Sequence, residues 1–436
     1  MKVFVIGCNY AALVTSACFA EMGNLVTHYH ADETQYKQLT AMPEPGLQPM
    51  VASNVAAGRL SFSDQFEAAV KQSDVIIIAY RDISAGRPDL FNLADRIVAA
   101  AERDLVVINK SPVHVGGGDE LIQFISQAVA LRNVDFIIDL VANPDFLREG
   151  GAINDFMHPD RIIIGSDSYN ARAKMTELFS PFTRQQDKLV YMGIRDAEMA
   201  RFATNIMLAA RVSLMNELAV IAEKMGVDIE NVRRGLGADS RIGYSYLYPG
   251  VGYGGAHLQH DVCTIAENAK QHGLDPVVLN AITERNHQQG IWAYNQLADL
   301  FGDLKGCHIG IWGLSFRPGT ASVEGAPAIV LIGQLMDAGA VVTAYDPMAM
   351  DLLPKQLPPE WFERGQLSLC DHQYEAVADA DALVLMTEWK PFRQPDFNAM
   401  AKLLNKKIII DGRNQYDPQS LKASGYIYRG VGRSSN

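Results

Sequence analysis

Short apolar runs separated by stretches of helical period organise most of this chain. Residues 3–6 are apolar, Gly7-Cys8-Asn9-Tyr10-Ala11-Ala12 opens a helical pattern ending near Gly23, and residues 26–29 read as a second strand. A strand, a glycine turn, a helix and a strand within about 30 residues is the pattern of a dinucleotide-binding unit. Strand-like runs continue at 75–79, 105–108 and 136–140. Residues 196–225 then read as one long amphipathic helix. Ala200, Ala203, Ile206, Met207, Ala210, Leu214 and Leu218 recur in it at helical spacing and are expected in the core. After a polar helical stretch near 291–300, Gly302-Asp303-Leu304-Lys305-Gly306 marks a boundary. A second series follows, with strand patterns at 308–312, 341–346, 382–386 and 407–410 and a helix from Pro327. The expected fold class is α/β: two Rossmann-like doubly wound domains joined by a long central helix. The expected limits are 1–195 for the N-terminal dinucleotide-binding domain, 196–302 for the central helix and the region after it, and 303–436 for the C-terminal domain. A chain of 436 residues is too long for one core, which agrees.

Composition narrows the function classes. Hydrophobic residues at 48% and charged residues at 20% describe an ordinary folded chain. A net charge of -12 argues against a general polyanion binder, so no nucleic-acid partner is expected, although a local diphosphate pocket is allowed. The five cysteines, Cys8, Cys18, Cys263, Cys307 and Cys370, are far apart and lack metal-type spacing, which suits a reducing cytoplasm. The N-terminus runs straight into a strand pattern without a signal-peptide cleavage site. No apolar run reaches the roughly 18 residues of a membrane span. A soluble cytoplasmic chain with no membrane span is expected.

The first glycine turn departs from the dinucleotide fingerprint. Gly7 and Ala12 keep its first and last positions, but Asn9 stands where the central glycine lets a pyrophosphate approach. Asn tolerates a positive φ better than most residues, yet its side chain intrudes. The acidic residue that would hold the ribose hydroxyls aligns with His30, with Asp32 two residues on. An imidazole cannot accept two hydrogen bonds as a carboxylate does. A weakened NAD site, and an NADP site in which His30 and Arg81 face a 2′-phosphate, are both open readings.

Several stretches carry chemistry. Asn109-Lys110-Ser111-Pro112-Val113-His114-Val115-Gly116 follows one strand, and Asn143-Pro144-Asp145-Phe146-Leu147-Arg148-Glu149-Gly150 another, with His158-Pro159-Asp160-Arg161 after it. Arg201 and Asn205 lie four apart on one helix face. Next come Asp239-Ser240-Arg241-Ile242-Gly243, then Tyr246, then Tyr253-Gly254-Gly255-Ala256-His257-Leu258-Gln259-His260-Asp261. The second series holds Gly313-Leu314-Ser315-Phe316-Arg317-Pro318, Thr387-Glu388-Trp389 and Asp411-Gly412-Arg413-Asn414. In this order, over nearly the whole chain, these stretches resemble the UDP-glucose/GDP-mannose dehydrogenase family (UDP-glucose 6-dehydrogenase-like).

The resemblance implies catalytic positions at Asp145, Glu149, Arg201, Asn205, His257 and Asp261. It implies cofactor contacts at Gly7, Asn9, Ala12, His30, Arg81 and Ser111. Sugar-nucleotide contacts would fall on Arg241, Tyr246, Tyr253, Gly254, Gly255, Arg317 and Arg413, the adjacent glycines letting a ligand pass close to the backbone. It also implies a homodimer built on the long helix and a nucleotide-sugar partner such as UDP-glucose or a UDP-uronate for the C-terminal domain. Four positions depart from the family's pattern: His257 stands for the nucleophilic cysteine, Pro112 for a water-placing threonine, Asp145 for glutamate and Arg201 for lysine. Asp145 is shorter by a methylene, about 1.5 Å of reach. Glu324 replaces a cationic position in the second series.

The family oxidises a primary alcohol to a carboxylate with two NAD molecules, through a thiohemiacetal and a thioester on cysteine. An imidazole serves as a base more readily than as a carrier of that acyl group. Two functions follow. One is a nucleotide-sugar oxidoreductase with altered NAD(P)-dependent chemistry at C6, stopping at two electrons, in polysaccharide precursor synthesis. The other is a catalytically inactive pseudoenzyme acting as a nucleotide-sugar-binding or regulatory partner. The His-x-x-His-Asp run in a loop is a weak zinc signal, and no metal is expected.

Overall fold

A computed structural model describes residues 1–40, 44–80, 90–183 and 187–433. The chain divides into two compact units, Met1–Ala203 and Thr204–Asn436.

The first unit is built on an eight-stranded sheet. Its strands are β1 (Lys2–Ile6), β2 (Leu25–Tyr29), β3 (Leu60–Ser63), β4 (Val75–Ile78), β5 (Leu105–Asn109), β6 (Ile138–Ala142), β7 (Ile162–Gly165) and β8 (Leu189–Met192). Their order is β3-β2-β1-β4-β5-β6-β7-β8. All neighbours pair parallel except β6 with β7. In β1 the period of two divides the residues between faces: Val3 and Val5 enter one core cluster, Phe4 and the next residue but one, Ile6, the other. A central parallel strand is covered on both faces and so is apolar throughout. Helix α1 (Tyr10–Glu21) follows the glycine turn and buries every residue from Ala11 to Ala20, as a helix apolar all round must. Helix α2 (Gly117–Arg132) follows β5.

Helix α3 (Ile194–Lys224) has 31 residues, and the division between the units falls inside it. Its inward face differs from the sequence expectation. Ala197, Phe202, Ala209, Met215, Ala219 and Ala222 are buried. Ile206, Ala210 and Leu218 pack at core margins. Met207 and Leu214 are 62% and 61% exposed, and Ala203 is exposed too. The helix carries apolar residues on more than one face, so spacing alone could not choose the inner one. By length and hydropathy it could cross a membrane, with an 18-residue window of mean hydropathy 1.3, of which 39% is buried. A helix lining a protein core passes the same test.

The second unit holds helix α4 (Ala256–Gln271) and a six-stranded sheet. Strands β9 (His308–Trp312), β10 (Val341–Tyr345), β11 (Leu367–Leu369), β12 (Ala382–Leu385), β13 (Ile408–Asp411) and β14 (Ile427–Gly430) lie in the order β11-β10-β9-β12-β13-β14, all parallel. Both sheets are doubly wound α/β, as expected, and place their loops at the carboxyl ends of the strands, where such folds bind ligands.

Candidate active site

In the first unit Gly7 leaves β1, and a Cβ there would meet the Ala79 carbonyl oxygen at 2.3 Å. Only glycine fits. Asn9 has φ −152°, extended backbone rather than the left-handed conformation considered from sequence. Its Oδ1 accepts from the Ala12 N–H at 3.0 Å, and its Nδ2 donates to the Ala79 carbonyl at 2.8 Å. Asn9 is therefore the N-cap of α1. His30 sits one residue past β2, half-buried, with Nδ1 3.2 Å from the Asp32 carbonyl oxygen. Arg81 lies outside the described residues.

Sequence reasoning passed over His28. It is fully buried, with Nε2 3.0 Å from the Gly7 carbonyl oxygen and Nδ1 2.7 Å from Ser16 Oγ. A carbonyl only accepts, so Nε2 carries the proton and Nδ1 accepts from the serine. Burial pushes the imidazole pKa down to about 4.

Beyond β5, Ser111 Oγ accepts from the Tyr80 N–H at 2.9 Å, tying two strand ends together rather than standing free. Lys110 is buried and donates to Asn143 Oδ1 at 3.0 Å, and burial lowers its pKa. Asp145 and Glu149 are half-buried on the 143–150 loop. Glu44, also unnoticed in the sequence, fixes that loop: its oxygens accept from the Gly150 N–H at 2.7 Å and the Ala152 N–H at 2.8 Å. Near the start of α3, Glu198 accepts from the Gly116 and Gly118 N–H groups at 2.6 and 2.7 Å. Burial raises its pKa, against the effect of those two bonds. Glu198, Arg201, Ser111 and Pro112 line a cavity of about 20 Å³, room for one water.

In the second unit the expected active-site loop is partly helix. Helix α4 starts at Ala256, so His257, His260 and Asp261 are helical, which corrects the loop reading. His257 and Asp261 are four apart and share a face, whereas His260 is exposed, with Nε2 3.4 Å from Thr264 Oγ1. Asp261 is fully buried, and its Oδ2 accepts from Asn205 Nδ2 at 2.6 Å. Cys263, further along α4, accepts from Gln259 Nε2 at 3.2 Å. Among the described residues no three His, Cys, Asp or Glu side chains gather as a metal site would require.

The sugar-nucleotide positions divide. A Cβ on Gly254 would meet the Gly325 carbonyl oxygen at 2.5 Å, and one on Gly255 the Phe316 ring at 2.9 Å. Their close approach is to protein. The Arg241 guanidinium lies exposed, paired with Asp239 at 2.6 and 3.0 Å. Tyr246 is half-buried with φ 59°. The Tyr253 hydroxyl donates to Gln259 Oε1 at 3.2 Å, and burial pushes its pKa up to about 12. Arg413 donates to the Met386 and Gly252 carbonyls at 2.7 and 3.3 Å and stands 3.3 Å from the Glu388 carboxylate. Arg317, half-exposed, has no hydrogen-bond or ion-pair partner among the described residues.

The chain resembles known proteins along its whole length. Residues 1–183 match the NAD binding domain of the UDP-glucose/GDP-mannose dehydrogenase family, residues 195–288 its central domain and residues 310–418 its UDP binding domain. The chain is 39% identical to the UDP-glucose 6-dehydrogenase of Pseudomonas aeruginosa, over 99% of this chain and 98% of that protein. It belongs to the UDP-glucose/GDP-mannose dehydrogenase family. The UDP-glucose 6-dehydrogenase of Rhizobium meliloti is 37% identical over 99% of this chain and 100% of that protein. A UDP-glucose dehydrogenase structure from Pyrobaculum islandicum superposes with TM-score 0.87 at 27% identity, covering 99% of this chain and 98% of that one.

The family's N-terminal domain takes NAD, whose diphosphate belongs at a helix N-terminus. Gly7 suits that approach. The Ala12 N–H that an anion would use is already met by Asn9, however, and His30 rather than a carboxylate follows β2. Asn9 thus takes one of the N–H groups at the helix start, where a diphosphate would lie.

Proposed function

We propose that this chain binds a nucleotide sugar, of the class of UDP-glucose or a UDP-uronate, and that any oxidation it carries out at C6 stops at the two-electron stage. One observation carries the reading: α4 keeps Asp261 paired with Asn205 at 2.6 Å, while the residue one turn earlier, where the family has its cysteine, is His257. Without sulfur there is no thioester, and imidazole contributes a base. Pro112 removes the hydroxyl that would place the hydrolytic water. Asp145, Glu149, Arg201 and Asn205 are the remaining polar groups assigned to the chemistry. The match of 310–418 to a UDP binding domain supports the nucleotide-sugar partner, and Arg317, without a partner among the described residues, supplies a cation suited to a diphosphate. A homodimer is supported by Met207, Leu214 and Ile221, which recur every seventh residue of α3 and are all exposed.

Titration calorimetry with UDP-glucose and UDP-glucuronate tests the binding. Heat from at least one is expected, and silence with both overturns the proposal. Nicotinamide absorbance tests the chemistry: one reduced cofactor per sugar at most is expected. Two per sugar, persisting in His257→Ala, would sink the two-electron limit. A second reading, the inactive pseudoenzyme serving as a binding or regulatory partner, is favoured by Pro112 and by the capped α1. Sugar binding with no reduction of NAD or NADP selects it.

A further inference from the structure

We infer that Asn9 occupies this chain's own diphosphate position, so that α1 must be uncapped before a dinucleotide can bind. This deepens the proposed function and rests on its assignment of a dinucleotide fold to the first unit. Three observations carry it. Asn9 is held at both ends of its amide, by the Ala12 N–H at 3.0 Å and the Ala79 carbonyl at 2.8 Å, so it is not a side chain that drifts aside. The helix cannot move away to make room, because Ala11 to Ala20 are all buried. The turn cannot retreat either: Gly7 lies against Ala79 with no space for one more carbon, and its carbonyl is fixed by the buried His28. A diphosphate that takes the Ala12 N–H must displace the Asn9 Oδ1 that now holds it.

His30 does not compensate. Its imidazole faces the Asp32 carbonyl and offers no carboxylate for the ribose diol. The side chain of Asn9 is thus a local and reversible brake on cofactor binding, and its removal restores the site without touching the sheet.

Calorimetry on the full chain with ADP and adenosine isolates the diphosphate from the ribose. In the wild type the two ligands are expected to bind within about threefold of each other, because the diphosphate recovers little beyond what it displaces. Asn9→Gly removes the side chain while keeping most of the capping stability of the turn. It should tighten ADP and NAD by about tenfold and leave adenosine unchanged. Asn9→Asp keeps the acceptor on Ala12 and adds a negative charge, and should bind ADP no tighter than the wild type. Thermal melting verifies that each variant is folded, and Asn9→Ala replaces Asn9→Gly if the latter is not. A wild-type chain that already prefers ADP to adenosine by about tenfold or more overturns the inference. So does a folded Asn9→Gly or Asn9→Ala with no gain for ADP. UDP-glucose titrated into the wild type reports on the proposed function alone, so the two can fail separately.

Discussion

The first six strands of each sheet follow one order, yet the turns after their first strands are tied down by opposite chemistry. In the second unit Asp346 follows β10, fully buried. It accepts from the Leu314 and Ser315 N–H groups at 2.8 and 3.0 Å, Ser315 Oγ at 2.9 Å, Trp389 Nε1 at 3.0 Å, and the Met348 and Ala349 N–H groups at 2.8 and 2.9 Å. One carboxylate there holds the Gly313 turn, the strand end and an indole. In the first unit the residue after β2 is His30, half-buried, its imidazole 3.2 Å from the nearby Asp32 carbonyl oxygen and its backbone N–H donating to the Ser63 carbonyl. The Gly7 turn is held instead by His28, two residues earlier, through its carbonyl. A carboxylate accepts several N–H bonds, whereas a neutral imidazole donates one and accepts one. The first turn therefore keeps an N–H for Asn9. Topology fixes where a turn must be tied, and the side chain available decides whether donors remain for a ligand.

The comparison can be broken most sharply at Asp346. Asp346→Ala leaves buried N–H groups without acceptors and should lower unfolding free energy by about 3–5 kcal/mol. A urea midpoint within error of wild type would show that the carboxylate does not anchor that turn. At His28 the effect depends on pH. Its folded pKa of about 4 lies below the ordinary 6.5, so the unfolded chain takes up the proton first. The stability it contributes above pH 6.5 falls as pH drops toward 4, by about 2 kcal/mol between pH 7 and pH 5. Urea unfolding at both pH values should show a drop in wild type that is smaller by that amount in His28→Gln. Glu44 is one carboxylate the first unit does bury, and it holds the loop carrying Asp145 and Glu149 rather than the nucleotide turn. Glu44→Gln turns a donor toward Gly150 or Ala152 and should cost about 1–2 kcal/mol by the same measurement. The smallest effect belongs to His30. His30→Asp should change stability by less than about 0.5 kcal/mol, since the side chain is half-exposed and holds nothing distant. A loss as large as that of Asp346→Ala would mean the two positions are equivalent after all.

Much of this was legible before the fold was seen. Apolar runs at 3–6, 75–79 and 308–312 marked parallel strands because a strand covered on both faces cannot afford polar residues. Other features were hidden for identifiable reasons. On α3 the apolar stripe through Met207 and Leu214 met the helical period as well as the buried stripe through Ala209 and Met215 did. Glu44 and Glu198 act on backbone groups more than 70 residues away in sequence, at 106 to 108 and 80 to 82 positions, and nothing local marks them. Gly254 and Gly255 signalled a close approach, but the approaching atoms belong to Gly325 and Phe316.

The sequence by itself determined the α/β class, the two doubly wound sheets and the family resemblance, because strand periodicity, glycine turns and ordered motifs are written locally. Tertiary structure alone decided that Asn9 caps α1, that His28 holds Gly7, that Asp261 meets Asn205 and that, among the described residues, Arg413 is engaged by carbonyls while Arg317 is not. Each of these is a pairing between residues whose distance in space the chain's local pattern does not encode.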